Sequence, residues 1–199
     1  LRLNSAGSFS TGVFEVTAGY THTCLRKTGT LSVWCWGDND AGQLGFDSVV
    51  APPIPPSWVT DADALQLHTL APGGRHTCAV GNGGTWCWGD DTRGQLLDGS
   101  MGPNSPWPKR VLGLSGPAVQ LALGEQLSCA RLANGSVPCW GGGSDPHGVP
   151  STTLALQSGV TLVSLGSQMC VVQDGVLKCG NRYGLTAVSG LPAQAVLEI

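Results

Sequence analysis

Charge is scarce in this 199-residue chain. Asp, Glu, Lys and Arg together make up 12% of it, about half the share usual for a globular domain. Only 10 residues are Lys or Arg, scattered singly, and the net charge is −3. Phosphate binding needs clustered cations, so the composition argues against a nucleic-acid partner. No apolar run approaches the roughly 18 residues of a membrane-spanning helix. The longest, such as Val160–Val163, have the length of a strand. A charged-then-apolar leader is missing and residue 1 is Leu, so the expectation is a mature or excised segment whose targeting signal is gone. Also missing are a nucleophile elbow, a phosphate loop and a zinc-protease motif. Catalysis is therefore not expected, and no cofactor is implied.

What the chain has in quantity is Gly (30), Pro (13) and Cys (8), with 41% hydrophobic residues to build a core. The Cys fall as Cys24/Cys35, Cys78/Cys87, Cys129/Cys139 and Cys170/Cys179, with separations of 11, 9, 10 and 9. An even count in regular pairs favours disulfides, which persist in oxidising compartments. Zinc and free thiols are the alternatives, but structural zinc sites use Cys-x2–4-Cys knuckles and none occurs here.

Around each pair the sequence repeats itself. The first copy reads His22-Thr-Cys24, Val33-Trp-Cys-Trp-Gly37 and Gly42-Gln-Leu-Gly45; the second reads His76-Thr-Cys78, Thr85-Trp-Cys-Trp-Gly89 and Gly94-Gln-Leu96. The third keeps Leu127-Ser-Cys129 and Val137-Pro-Cys-Trp-Gly141; the fourth keeps Gln168-Met-Cys170 and Val176-Leu-Lys-Cys-Gly180. First-Cys spacings of 54, 51 and 41 residues lie around the period of propeller blades. Alternation before each first Cys, as in Val119-Gln-Leu-Ala-Leu123, predicts a strand. Thr28-Gly29, Asn82-Gly-Gly84, Asn134-Gly135 and Asp174-Gly175 predict hairpins, with type I′ turns as the expected geometry. Each Cys pair then flanks a hairpin, where opposed Cα atoms are close enough for a bridge.

The pattern His-Thr-Cys … Trp-Cys-Trp-Gly-Asp-Asn-Asp-Ala-Gly-Gln-Leu-Gly resembles the RCC1 repeat, in its Cys-containing bacterial and extracellular form. The resemblance spans roughly residues 14–190 and implies an all-β propeller with four blades in this chain. It predicts a single domain over 1–199, with repeats near 14–63, 64–115, 116–157 and 158–199. Leu1-Arg-Leu-Asn4 looks like the strand that ends a repeat and Gln194–Ile199 like one that begins the next, so residues 1–13 are expected to close the last blade. The same ends offer a route to self-association. Family roles range over nucleotide exchange, light perception and enzyme inhibition, so the resemblance implies fold more than function.

Candidate sites are few. His22 and His76 recur per repeat, which suits a structural hydrogen bond better than a catalytic base or metal ligand. Asp38-Asn39-Asp40 and Asp90-Asp91 offer oxygens for calcium but match a turn of the repeat. The Gly-Gln-Leu segments read as turns in which the Gln amide satisfies backbone groups. Two Pro-rich insertions, Phe46–Asp63 with its Ala51–Trp58 and a second through Met101–Pro108, read as loop connections between blades, and each carries one Trp. Trp58 and Trp107 are the candidate binding residues, as exposed anchors or as side chains tucked into the core. Asn134-Gly-Ser136 is an N-glycosylation sequon. The expected function is a secreted or cell-surface module that binds protein or itself; an enzyme inhibitor or a carbohydrate-binding lectin is the alternative. Thiol titration of the denatured, unreduced chain checks the compartment: no reactive thiol is expected, and eight would remove the case for secretion.

Overall fold

The computed structural model describes residues 13–27, 29, 32–47, 53–143, 152–154, 160–165, 168–173, 176–181 and 184–189. These residues form four antiparallel sheets of four strands, one for each Cys pair. The first holds β1 (Val13–Ala18), β2 (His22–Lys27), β3 (Val33–Gly37) and β4 (Ile54–Trp58). The second holds β5 (His68–Pro72), β6 (His76–Gly81), β7 (Gly84–Gly89) and β8 (Ser105–Arg110). The third runs from β9 (Ala118–Leu123) through β10 (Leu127–Leu132) and β11 (Val137–Gly141) to β12 (Thr152–Leu154). The fourth comprises β13 (Val160–Leu165), β14 (Gln168–Gln173), β15 (Val176–Asn181) and β16 (Gly184–Ala187). None of the described residues is helical. Each sheet is an up-and-down meander, and the first strands of successive sheets touch, β1 on β5, β5 on β9 and β9 on β13. That is the blade stacking of a propeller.

Each Cys pair occupies directly opposed positions on the second and third strands of its sheet: Cys24↔Cys35, Cys78↔Cys87, Cys129↔Cys139 and Cys170↔Cys179. Their Cα atoms lie 4.1 Å apart and all four pairs are bridged. No Cys is left free. Four bridges in so short a chain suit an oxidising environment.

The cores lie between sheets. Leu70, Ala79 and Trp88 of the second sheet pack against Cys24, Val33, Cys35 and Leu44 of the first. Leu121, Leu123, Ala130 and Trp140 of the third pack in turn against Cys78, Cys87, Leu96 and Val111 of the second. One face of each sheet thus supplies knobs, and the other supplies the bridged Cys pair as a floor.

Two expectations meet a different geometry. The Pro-rich segments are not loops; each carries the outermost strand of its sheet, β4 or β8. A proline has no N–H to give, and only an edge strand tolerates that. The two described Asn-Gly hairpins are not type I′. Neither Asn82 nor Asn134 has a positive φ; the left-handed residues are Gly83 at 78° and Gly135 at 86°. In the third sheet Gly135 N–H donates to Leu132 O at 2.9 Å and Leu132 N–H to Ser136 O at 2.9 Å. The turn is centred on Ala133-Asn134, with Gly135 as the following left-handed residue of a three-residue loop. Val13 begins β1 and pairs with Lys27. Residues 1–12, 194–199 and the Asp174-Gly175 turn lie outside the described residues.

A bridge closing a loop of this size stabilises by about 2–3 kcal/mol. The double variant Cys78→Ala/Cys87→Ala is expected to lose that amount in urea unfolding, and an unchanged midpoint would show that this bridge is not formed.

Candidate interaction face

Two of the interfaces between sheets share one hydrogen-bonded lock. In the first, the Thr77 hydroxyl donates to the carbonyl of Gln43 at 2.8 Å. Its proton is spent there, so it accepts Nε2–H of His22 at 2.7 Å. Trp88 Nε1–H donates to the same Gln43 carbonyl at 2.9 Å. In the second interface, Ser128 Oγ donates to Gln95 O at 3.3 Å and accepts His76 Nε2–H at 2.8 Å. Trp140 Nε1–H donates to Gln95 O at 2.7 Å. One sheet therefore supplies a His and a Gly-Gln-Leu carbonyl, and the next supplies a hydroxyl and a Trp. A further backbone bond joins the same pairs of sheets, Tyr20 N–H to Gly73 O at 3.1 Å and Gly74 N–H to Gly124 O at 2.9 Å.

The parts of the lock are held by the repeat itself. Gln43 Oε1 accepts Ala41 N–H at 2.9 Å and Gln95 Oε1 accepts Arg93 N–H at 2.8 Å, which fixes the turn and leaves the backbone carbonyl to the neighbour. Asn39 Oδ1 accepts Leu44 N–H and Asp91 Oδ1 accepts Leu96 N–H, each at 2.9 Å. Asn39 and Asp91, two of the residues considered as calcium ligands, are thus turn staples, and no cluster fit for a metal ion occurs among the described residues. Gly89 has φ of 104°, and a Cβ there would lie 2.5 Å from Arg75 O. Only glycine fits this close approach of β7 to the loop before β6.

Both histidines are neutral in the lock. Burial pushes the His22 imidazole down to about 4. His76 is pushed down to about 3, mainly by burial and also by His22. Their Nδ1 atoms are buried without a partner among the described residues, so a proton added there would meet no acceptor among them. Asp91 is shifted the other way, up to about 6, chiefly by burial.

The third interface has lost the lock. Leu127 stands where the earlier sheets have His. Met169, which pairs with Gly180, takes the register position of Thr77 opposite Trp88 and of Ser128 opposite Trp140.

The first sheet carries the receiving half of a lock on a face that no described sheet covers. Val16, Leu25, Trp34 and Trp58 form one cross-strand row, and Ala18, Thr23 and Trp36 the next. Opposed residues share a face, so both rows lie opposite the Cys24–Cys35 bridge. At the positions equivalent to Val16, which is 57% exposed, Leu70 is 4% and Leu121 9% exposed; Trp36 is half-buried where Trp88 and Trp140 are fully buried, and Trp58, 48% exposed, has the exposed Arg110 as its counterpart. The rings of Trp34 and Trp58 are tilted together with centroids 5.8 Å apart, and Lys27 Nζ sits 5.8 Å above Trp34. Beside this face, exposed Phe14 carries the Arg26 guanidinium 4.2 Å over its ring. Sequence reasoning selected Trp58 but passed over Val16, whose exposure only the comparison among sheets makes unusual.

Trp107 is also exposed but lies on β8 of the second sheet, whereas Trp58 lies on β4 of the first. Asn134 is exposed on its hairpin, where Oδ1 accepts the Ser136 N–H at 3.0 Å and the Ser136 hydroxyl at 2.7 Å.

Comparisons agree with this geometry. The family model "Regulator of chromosome condensation (RCC1) repeat" matches residues 15–43, from β1 to the first Gly-Gln turn. Human WBSCR16 superposes with a TM-score of 0.74 at 20% identity, over 92% of this chain and 55% of that one. Yeast RCC1 (Prp20), solved bound to Kap60, gives 0.70 at 19% identity over 86% and 44%. The chain is an array of RCC1-like repeats folded as β-propeller blades. The ectodomain of the Arabidopsis thaliana receptor kinase ACR4 gives a TM-score of 0.52 at 21% identity, over 90% of this RCC1-like chain and 55% of that one. Among curated proteins, human "Probable E3 ubiquitin-protein ligase HERC3" is 28% identical over 134 residues, which cover 66% of this chain and 13% of that protein. The RCC1-like array thus spans a small part of that relative's length.

Acid tests the histidine locks. The unfolded chain takes up protons at His22 and His76 as pH falls through about 6.5, while the native sites stay neutral to about 4 and about 3. The unfolded state binds more protons, so stability falls on acidification by about 1.4 kcal/mol per pH unit per group. Asp91 opposes this below about 6, because its native form keeps a proton that the unfolded chain releases down to 3.8. Unfolding midpoints are expected to drop between pH 6.5 and 4, with a shallower slope in His22→Gln. Equal slopes in the two proteins would refute the neutral, buried assignment.

Proposed function

We propose that this RCC1-like array is a secreted or cell-surface interaction module that holds a protein partner on the open face of its first sheet. The observation that carries the reading is the set Val16, Leu25 and Trp36, solvent-accessible at positions that the next two sheets bury, with exposed Trp58 on the same face. A broad apolar patch on a folded surface marks an interaction site, and Trp is enriched among residues that dominate binding. Four bridges support life outside a reducing compartment, and the fold is used in a receptor-kinase ectodomain. RCC1-like Prp20 is itself held by a protein, Kap60. Trp107, on a neighbouring outer strand, is a second anchor for the same kind of partner, and Asn134 is positioned to carry a glycan at a hairpin tip. The role is binding rather than catalysis: the buried His are tied into locks, and no Cys remains as a nucleophile.

A photo-crosslinking residue placed at Val16 or Trp58 and exposed to the producing cells is expected to trap a protein, with little or no adduct from Thr92. Carbohydrate as the only adduct, or equal labelling at all three positions, would overturn the reading in favour of a lectin or of no site.

A further inference from the structure

Away from the open face, a cleft of about 580 Å³ lies between the β6–β7 hairpin and the connection from β8 to β9. That volume falls within the range of small-molecule sites. Val80, Val111, Leu114 and Ala118 line it, and all four belong to the core between the second and third sheets or pack against it. The cleft exists because this connection is poor in side chains. Between the first two sheets, the segment from β4 to β5 buries Ala62 and Leu67 completely. From β8 to β9 the chain has Gly113 and Gly116, and a Cβ on Gly116 would meet nothing within 4 Å.

The polar groups around the cleft are uncommitted. Arg110 lines it, and its Nη2–H donates to Gly83 O at 2.8 Å. A Cβ on Gly84 would lie 3.5 Å from Arg110 Nε, so the side chain crosses the hairpin where glycine leaves room. Arg26 pairs with Glu15 and Arg75 with Asp40, but no carboxylate pairs with Arg110 among the described residues. The amides of Gly113, Leu114 and Gly116 donate to no backbone carbonyl among the described residues. Thr85, also a lining residue, stands where the first and third sheets bury Val33 and Val137 completely. Its buried hydroxyl has no partner among the described residues, a polar choice where packing calls for valine. We propose that this cleft binds a small carboxylic acid, with the carboxylate on Arg110 and the apolar body between Val80, Val111, Leu114 and Ala118. A planar guanidinium meets a carboxylate through two parallel bonds. The tether to Gly83 spends one N–H and holds the remaining donors in place. One cation among apolar walls balances a monoanion; a phosphate ester, with nearly two charges, would stay uncompensated.

Octanoate and phenylpropanoate, each beside its primary amide, are titrated into the full chain and followed by backbone amide chemical shifts. At least one acid is expected to give saturable shifts at Gly84, Gly113 and Gly116, and its amide to bind about tenfold more weakly. Arg110→Gln, a change on an exposed side chain, is expected to bring the acid down to the affinity of the amide. Gly116→Leu fills the open space from the wall, and the extended backbone favoured before Pro117 accepts the side chain. It is expected to remove binding of acid and amide alike and to leave the urea midpoint in place. No saturable shift with either acid, equal affinity for acid and amide, shifts centred elsewhere, or acid binding that survives Arg110→Gln would each overturn the proposal. Crosslinking at Val16 and Trp58 reads the first sheet and is independent of this outcome.

Discussion

An isolated four-stranded sheet rich in Trp, Leu and Val cannot keep both faces dry. Every other feature of the array answers that constraint. The bridged Cys pair gives one face a flat, apolar floor, and the leucines of the next sheet fill it. The polar atoms that this packing would strand, two indole N–H groups and two hydroxyls, are gathered on one backbone carbonyl per interface. A main-chain acceptor is a durable choice, because no side-chain substitution removes it. The Gln side chain is free to do something else, and it braces the turn that presents the carbonyl.

The same economy explains the histidines. Each imidazole is neutral, donates once, and leaves its second nitrogen dry. A group that titrates near neutrality in water becomes here an inert spacer of the right length between sheets. Its cost is paid in acid, where the unfolded chain gains what the folded one refuses.

Much of the fold was legible in the residues. The spacing of the Cys pairs and the turn residues between them located four hairpins, because a period of two and a tight turn leave few other ways to place opposed Cys. The Pro-rich segments were harder to read: Pro signals a loop unless one knows that the strand is outermost, and strand order is not local information. The turn type was also out of reach. Asn-Gly serves two kinds of hairpin, and the choice depends on how many residues the flanking strands leave for the loop. The interaction face was half visible. Trp58 drew notice as a lone aromatic among prolines, but Val16 looks like any strand valine until Leu70 and Leu121 are seen buried in its place. Repetition, which hides single functional residues in the sequence, exposes them in the structure by supplying internal controls.

The uneven distribution of the lock gives the array a mechanical polarity. Two interfaces are pinned by buried hydrogen bonds with strict geometry, while at the third the described residues pack around Cys129, Cys139 and Val171 without that lock. Force applied along the array therefore meets its weakest seam before the fourth blade. That blade, closed internally by the Cys170–Cys179 bridge, comes away as a stapled unit and leaves the first three standing.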